Sequence, residues 1–213
     1  MNINIRRHET DQELFWAGQF GDDYIRRNEF DSIFRSNVAL FSKIFARMEK
    51  IRDAVEFGPN IGLNLRAMHF LQPEVELTGV EINARACSEL KKVTGVTQAI
   101  HGSILEFETD AKFDLSLAKG LLIHINPDKL PQAYAALYNA SRRYVLVCEY
   151  YNPTPVAISY HGHTERLFKR DFAGDMMDIY PDLRLVDYGF AYRRDPMFPQ
   201  DDVTWFLMEK KAR

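Results

Sequence analysis

The stretch DAVEFGPNIGLNLRAM (53–68) constrains the fold more than any other part of this 213-residue chain. A short buried-strand pattern, DAVEF (53–57), runs through Gly58 and Gly62 straight into a helix-period segment, IGLNLRAMHFL (61–71), which Pro73 stops. Strand, glycine turn and helix in that order form the opening unit of a parallel α/β sheet. The alternation then repeats. VELTGVEI (75–82) reads as a second strand, NARACSELKKV (83–93) as a helix with Asn83 as N-cap, and VTQAIHG (96–102) as a third strand. FDLSLAKG (113–120) and RYVLVCEYY (143–151) read as strands four and five, with a helix over 126–141 that opens at Pro127 and Asp128.

NPTPVAISYHGHTER reads as an irregular, proline-rich loop, and a helix is expected near FKRDFAGDMMDIYP. LRLVDYGFAYRR and DVTWFLMEKK follow with no helix between them, so they form an antiparallel hairpin. The whole is an α/β, doubly wound, mostly parallel open sheet, whose ligands lie outside the carboxyl ends of the strands where strand order reverses. The glycine turn lies at that place.

The first 52 residues differ in character. SNVALFSKIFARMEKI (36–51) places Val38, Phe41, Phe45, Met48 and Ile51 at helical spacing and reads as a helix on the sheet. DQELFWAGQFGDDYIRRNEF, with Trp16 and Tyr24 among its aromatics, is either a terminal segment held by those rings or a cover over the ligand. We expect one domain over 1–213, with 1–35 as cap and 36–213 as core.

Composition sets the outer limits. The net charge is −3 and the basic doublets are scattered, which argues against a nucleic-acid surface. No apolar run has bilayer length and the start lacks a signal-like apolar region, so a cytoplasmic protein without a membrane partner is expected. Cys87 and Cys148 have no metal-type spacing and read as reduced thiols.

The glycines let the backbone bend sharply and let a ligand approach the main chain, while the amino end of the next helix offers free N–H groups. A dinucleotide fingerprint would need glycine at 60 and 63, where the chain has Asn60 and Leu63, so NAD and FAD are disfavoured. Glu56 precedes the turn, where it can accept a ligand amine, and Glu81 ends strand two, where a carboxylate can take both ribose hydroxyls.

These residues, E-x-G-x-N-x-G with a second acid after strand two, resemble the class I S-adenosylmethionine-dependent methyltransferases, with Asn60 replacing the central glycine. The resemblance implies a Rossmann-like seven-stranded sheet, S-adenosylmethionine as methyl donor and S-adenosylhomocysteine as product. It implies a cofactor site of Glu56, Gly58, Asn60, Gly62, Glu81, Ile82, Ser103, Ile104, Lys119, Gly120 and Tyr24, with Ile82 on the adenine and Ser103 near its amine. TDQELFWAGQFGDDYIRRN, KGLLIHINPDKL, EYYNPTPV and FPQDDVTWFLMEK look more closely like the pseudaminic acid biosynthesis-associated methylases. That likeness implies a small, anionic, sugar-type acceptor, a nonulosonic acid or nucleotide-sugar of surface-glycan biosynthesis, methylated at O or N. A non-catalytic cofactor-binding accessory or sensor protein of the same fold is the alternative.

A hydroxyl acceptor benefits from a general base. His124, after the fourth strand, is the first candidate, because an imidazole titrates near neutral pH. Glu149 and Tyr150 at the end of strand five are the other catalytic candidates. Alternation puts Tyr150 with Asn152 on one face and Glu149 with Tyr151 on the other. For the acceptor we expect Trp16, Tyr151, Asn152, His161, His163, Arg166, Lys169 and Arg170, the last three as a basic group suited to an anion. His161 and His163 have chelating spacing but no accompanying ligand cluster, so a metal is not expected.

Overall fold

The computed structural model describes residues 10–25, 30–160 and 163–211, the side chains of 30–31, 159–160 and 163–166 excepted. Alternating strands and helices build one central sheet. Its strands are β1 (Asp53–Phe57), β2 (Glu76–Glu81), β3 (Val96–His101), β4 (Phe113–Lys119), β5 (Ser141–Glu149), β8 (Leu183–Ala191) and β9 (Val203–Lys210). They lie in the order β3-β2-β1-β4-β5-β9-β8. β1 to β5 pair in parallel, while β9 inserts antiparallel between β5 and β8. The order reverses between β1 and β4, which puts a crevice at their carboxyl ends.

Strand alternation divides the core. Ala54, Leu77, Leu115, Leu117 and Leu146 pack on one face with α3 (Phe30–Phe45), α4 (Leu63–Leu71) and α5 (Ala84–Leu90). Val55, Phe57, Val80, Ala118, Val145 and Val147 pack on the other with α6 (Leu130–Ala140) and α7 (Phe172–Ile179). Pro131 lies in the first turn of α6, where a missing amide costs little. At the amino ends of the strands Arg142 bonds both Asp53 and Asp114, and Arg52 also reaches Asp114. Burial would raise Asp114, but these guanidinium bonds hold it down to about 2.

Three sequence expectations need correction. The helix placed at 36–51 runs from Phe30 to Phe45. Its end tightens through Arg47 N to Ile44 O and Met48 N to Phe45 O bonds, freeing the chain to enter β1, so Ile51 is buried outside the helix. The stretch read as a proline-rich loop contains a second, two-stranded sheet, β6 (Val156–Tyr160) with β7 (His163–Lys169). Pro153 and Pro155 precede β6 and remove none of its ladder bonds, and Leu167 anchors β7 in the core. Finally, β5 spans 141–149 rather than 143–151, so Tyr150 and Tyr151 lie past its end.

The chain before α3 forms two short helices, α1 (Asp11–Ala17) and α2 (Gln19–Ile25), packed over the crevice end of the sheet. No described helix is long and apolar enough to cross a membrane.

Candidate functional site

The crevice opens into a cavity of about 310 Å³. Its floor is the turn after β1, where Gly58, Asn60 and Gly62 alternate in the left-handed region, with φ of 69°, 52° and 85°. A Cβ on Gly62 would lie 2.6 Å from Leu90, and one on Gly58 2.9 Å from Leu121, so conformation and space both demand glycine there. Asn60 needs no close approach of this kind. Asparagine tolerates positive φ better than other side chains, which accounts for its place in a turn that otherwise uses glycine. Its Oδ1 is buried with no partner.

Glu81 joins this turn to the next. Its Oε2 accepts from Asn60 N at 2.8 Å and its Oε1 from Asn83 N at 2.8 Å. Burial pushes its pKa up, and the backbone bonds only partly offset this. Asn83 in turn caps α5 through Ala86 N. The carboxylate thus faces the cavity from a fixed position, with further acceptor capacity on each oxygen.

Glu56 is differently placed. It is fully buried in β1 behind the turn, accepts from Asn64 Nδ2 at 2.6 Å, and does not line the cavity. Its second oxygen has no partner, and burial raises it to about 7. Asn64 stands between this acid and the cavity.

The other walls come from three further elements. Ile82, Ser103 and Ile104 line the side beyond Glu81. Lys119, Gly120 and Leu121 lead from β4 into the short turn Leu122–His124, and His124, 8% exposed, faces the cavity with its ring 4.5 Å from that of Trp16. Tyr150 completes this side. From above, Glu13, Trp16, Gly21 and Tyr24 of α1 and α2 close the space.

Glu149 does not share that role. Its side chain does not line the cavity; Oε1 accepts from Leu121 N and Leu122 N, each at 2.9 Å. It holds the segment that carries His124, and burial raises it to about 7. Tyr151 is 42% exposed against Phe206, and Asn152 Nδ2 donates to Thr154 O, so neither lines the cavity.

Of the basic group expected for an anionic acceptor, neither Lys169 nor Arg170 lines the cavity. Arg170 pairs with Asp175 at 2.6 Å, and Lys169 lies over the Tyr150 ring at 5.0 Å. His161 lies outside the described residues, as do the side chains of His163 and Arg166. Lys119 is the lysine or arginine that lines the cavity among the described residues. No group of three or more His, Cys, Asp or Glu able to hold a metal occurs among them either.

Ser36, Asn37, Gln200 and Glu13 are among the polar wall residues that escaped the sequence reading. Ser36 and Asn37 are polar positions on the buried stripe of α3, and Asn37 Oδ1 accepts from Gln200 Nε2 at 2.9 Å, in the loop between β8 and β9. Asn37 is 1% exposed and its Nδ2 has no partner. Glu13 was missed for a different reason. TDQE (10–13) carries a capping-box pattern that marks it as a helix residue, though not as a cavity residue.

No family model and no curated protein matches the chain. Solved structures match over nearly its full length. A Leishmania major S-adenosylmethionine-dependent methyltransferase superposes with a TM-score of 0.69 at 14% identity, covering 95% of this chain and 87% of its own. The 1,6-didemethyltoxoflavin-N1-methyltransferase of Burkholderia thailandensis, solved with its substrate and S-adenosylhomocysteine, gives 0.68 at 13% identity, covering 94% and 87%. The magnesium protoporphyrin IX methyltransferase of Synechocystis, solved with the methyl donor, gives 0.65 at 10% identity, covering 97% and 100%. The chain has the class I methyltransferase fold.

Proposed function

We propose that this chain is an S-adenosylmethionine-dependent methyltransferase acting on O or N of a small acceptor. One observation carries the reading. The left-handed turn Gly58–Asn60–Gly62 and the Glu81 carboxylate are locked together by the 2.8 Å bond from Asn60 N, and both face one cavity. A cradle with no side chains at 58 and 62, beside an acid at the end of β2, suits a nucleoside with a charged amino-acid tail.

In this reading Gly58 to Ile61 and Asn64 hold the tail, Glu81 the ribose, and Ile82 and Ile104 flank the base. When bound, the cofactor supplies an electrophilic methyl on a sulfonium. The remaining work belongs to the chain's own residues, because in-line displacement depends on alignment and exclusion of water. Trp16 and Tyr24 cover the cavity and present aromatic faces, which favour a cation. His124 takes the proton of a hydroxyl acceptor, and Glu149 keeps the His124 segment in place through Leu121 N and Leu122 N. Residues 10–25 act as the cap of a single domain.

The finer acceptor assignment, a nonulosonic acid or its nucleotide form, rests on the sequence resemblance. Lys119 and the polar wall of Ser36, Asn37 and Gln200 are the groups we assign to it. Incubating the protein with S-adenosylmethionine and a panel of free and nucleotide-linked nonulosonic acids tests this through release of S-adenosylhomocysteine. Release above the acceptor-free blank supports it. Release only with unrelated acceptors removes the sugar assignment, and none with any acceptor leaves the non-catalytic alternative.

A further inference from the structure

Among its described contacts, the buried Glu13 carboxylate meets two distinct sets of donors. Its Oε2 accepts from Thr10 N at 3.0 Å and Thr10 Oγ1 at 3.2 Å, closing the capping box of α1. Its Oε1 accepts from Ser103 Oγ at 2.5 Å, across 90 residues of sequence. The cap explains the first set alone. A capping glutamate works as well on an exposed helix, whereas this one is 4% exposed and lines the cavity beside Ser103. Burying a carboxylate is costly unless its partners are good, so its position asks for a further reason.

The cavity supplies one. With the glycine turn at one end and Glu81 taking a ribose, a nucleoside base extends past Glu81 toward the carboxyl end of β3. The wall there includes the apolar side chains of Ile82 and Ile104, with Ser103 and Glu13 at its rim. Ser103 Oγ directs its hydrogen to Glu13 and accepts from Leu105 N at 3.1 Å. The strongest acceptor at that rim is the carboxylate.

We propose that Glu13 reads the exocyclic amine of the cofactor's adenine, which makes α1 part of the cofactor site as well as its cover. The inference rests on the cofactor reading above. A carboxylate has about four acceptor directions and no donor, so it favours an amine and repels a carbonyl at the same position. The same helix pair is tied to the ribose end, because Asn83 Nδ2, next to Glu81, donates to Asp22 Oδ1 at 3.0 Å and to Trp16 O at 3.3 Å. Gly21 permits this approach, since a Cβ there would lie 2.0 Å from Trp16 O. Binding of the base and docking of residues 10–25 are therefore linked.

Calorimetric titration of the full chain with S-adenosylhomocysteine and with its hypoxanthine analogue, in which a carbonyl replaces the amine, tests the proposal. The wild type should prefer the adenine form by about tenfold or more, the scale of a hydrogen bond to a charged group. Glu13→Gln keeps a residue suited to the capping box but can turn either a donor or an acceptor to the base, so the preference should fall to about threefold or less. Thr10→Ala, which weakens the cap and leaves the carboxylate, should lower both affinities together and keep the preference. An unchanged preference in Glu13→Gln would overturn the proposal and leave the cofactor reading standing. Failure of the wild type to bind S-adenosylhomocysteine would overturn both.

Discussion

Glu56 and Glu149 give the protein a pH dependence opposite to that of most surface carboxylates. Each is fully buried, each has one oxygen bonded to N–H donors, and each has a second oxygen with no partner. Burial raises both from 4.5 to about 7. An acid whose folded pKa is raised keeps its proton longer in the folded state, so the unfolded chain binds fewer protons between pH 4.5 and 7. Stability then falls as pH rises through that window and levels off above it. Each group accounts for about 3 kcal/mol at full ionisation, a large share of the few to fifteen or so that a domain has.

Glutamine is the neutral isostere, since it can place its oxygen on the existing donors and its amide nitrogen where the unpartnered oxygen lies. Glu56→Gln and Glu149→Gln should therefore match the wild type within about 1 kcal/mol at pH 5 and exceed it by about 3 kcal/mol at pH 8. In urea that gain moves the midpoint by about 1 M. A difference between variant and wild type that stays constant from pH 5 to pH 8 would refute the reasoning.

Gly62→Ala and Gly120→Ala both place a side chain at positive φ, but only Gly62 is crowded, by Leu90 and Val93. Gly120→Ala should cost about 1–2 kcal/mol and Gly62→Ala about 1–3 kcal/mol more, read from urea unfolding; equal losses would remove the packing account of the turn. His124→Ala should lower kcat by about a hundredfold or more while leaving the affinity for S-adenosylhomocysteine near wild type. A matching loss of affinity would make His124 a wall residue only. Acid should destabilise the amino end of the sheet through Asp114, whose lowered pKa contributes stability above pH 3.8 that is lost as pH falls toward 2. Asp114→Asn should flatten the acid limb of a pH–melting curve, and an unaltered limb would assign it elsewhere.

Local chemistry made the sheet and its turn legible. DAVEF, VELTGVEI and FDLSLAKG are apolar runs ended by turn residues, and Gly58 and Gly62 occupy backbone that only glycine enters at low cost. The Asn83 cap was equally readable, because a cap depends on its own next three residues. What was missed depends on partners far along the chain. The β6–β7 pair is a small sheet whose prolines stand outside it, so composition misled where pairing decides. Glu149 sits at the strand end expected of a catalytic acid, but its orientation is fixed by the amides of 121 and 122, which no spacing around 149 encodes. Asn37 and Glu13 gain their significance only from Gln200 and Ser103, each brought in from a distant loop.

A crystal structure of the protein grown with S-adenosylhomocysteine would test the central claim most directly. The account predicts the nucleoside in the cavity between the Gly58–Gly62 turn and Ile104, with its ribose hydroxyls on the Glu81 carboxylate. Density for the ligand elsewhere, or none in that cavity at saturating concentration, would contradict it.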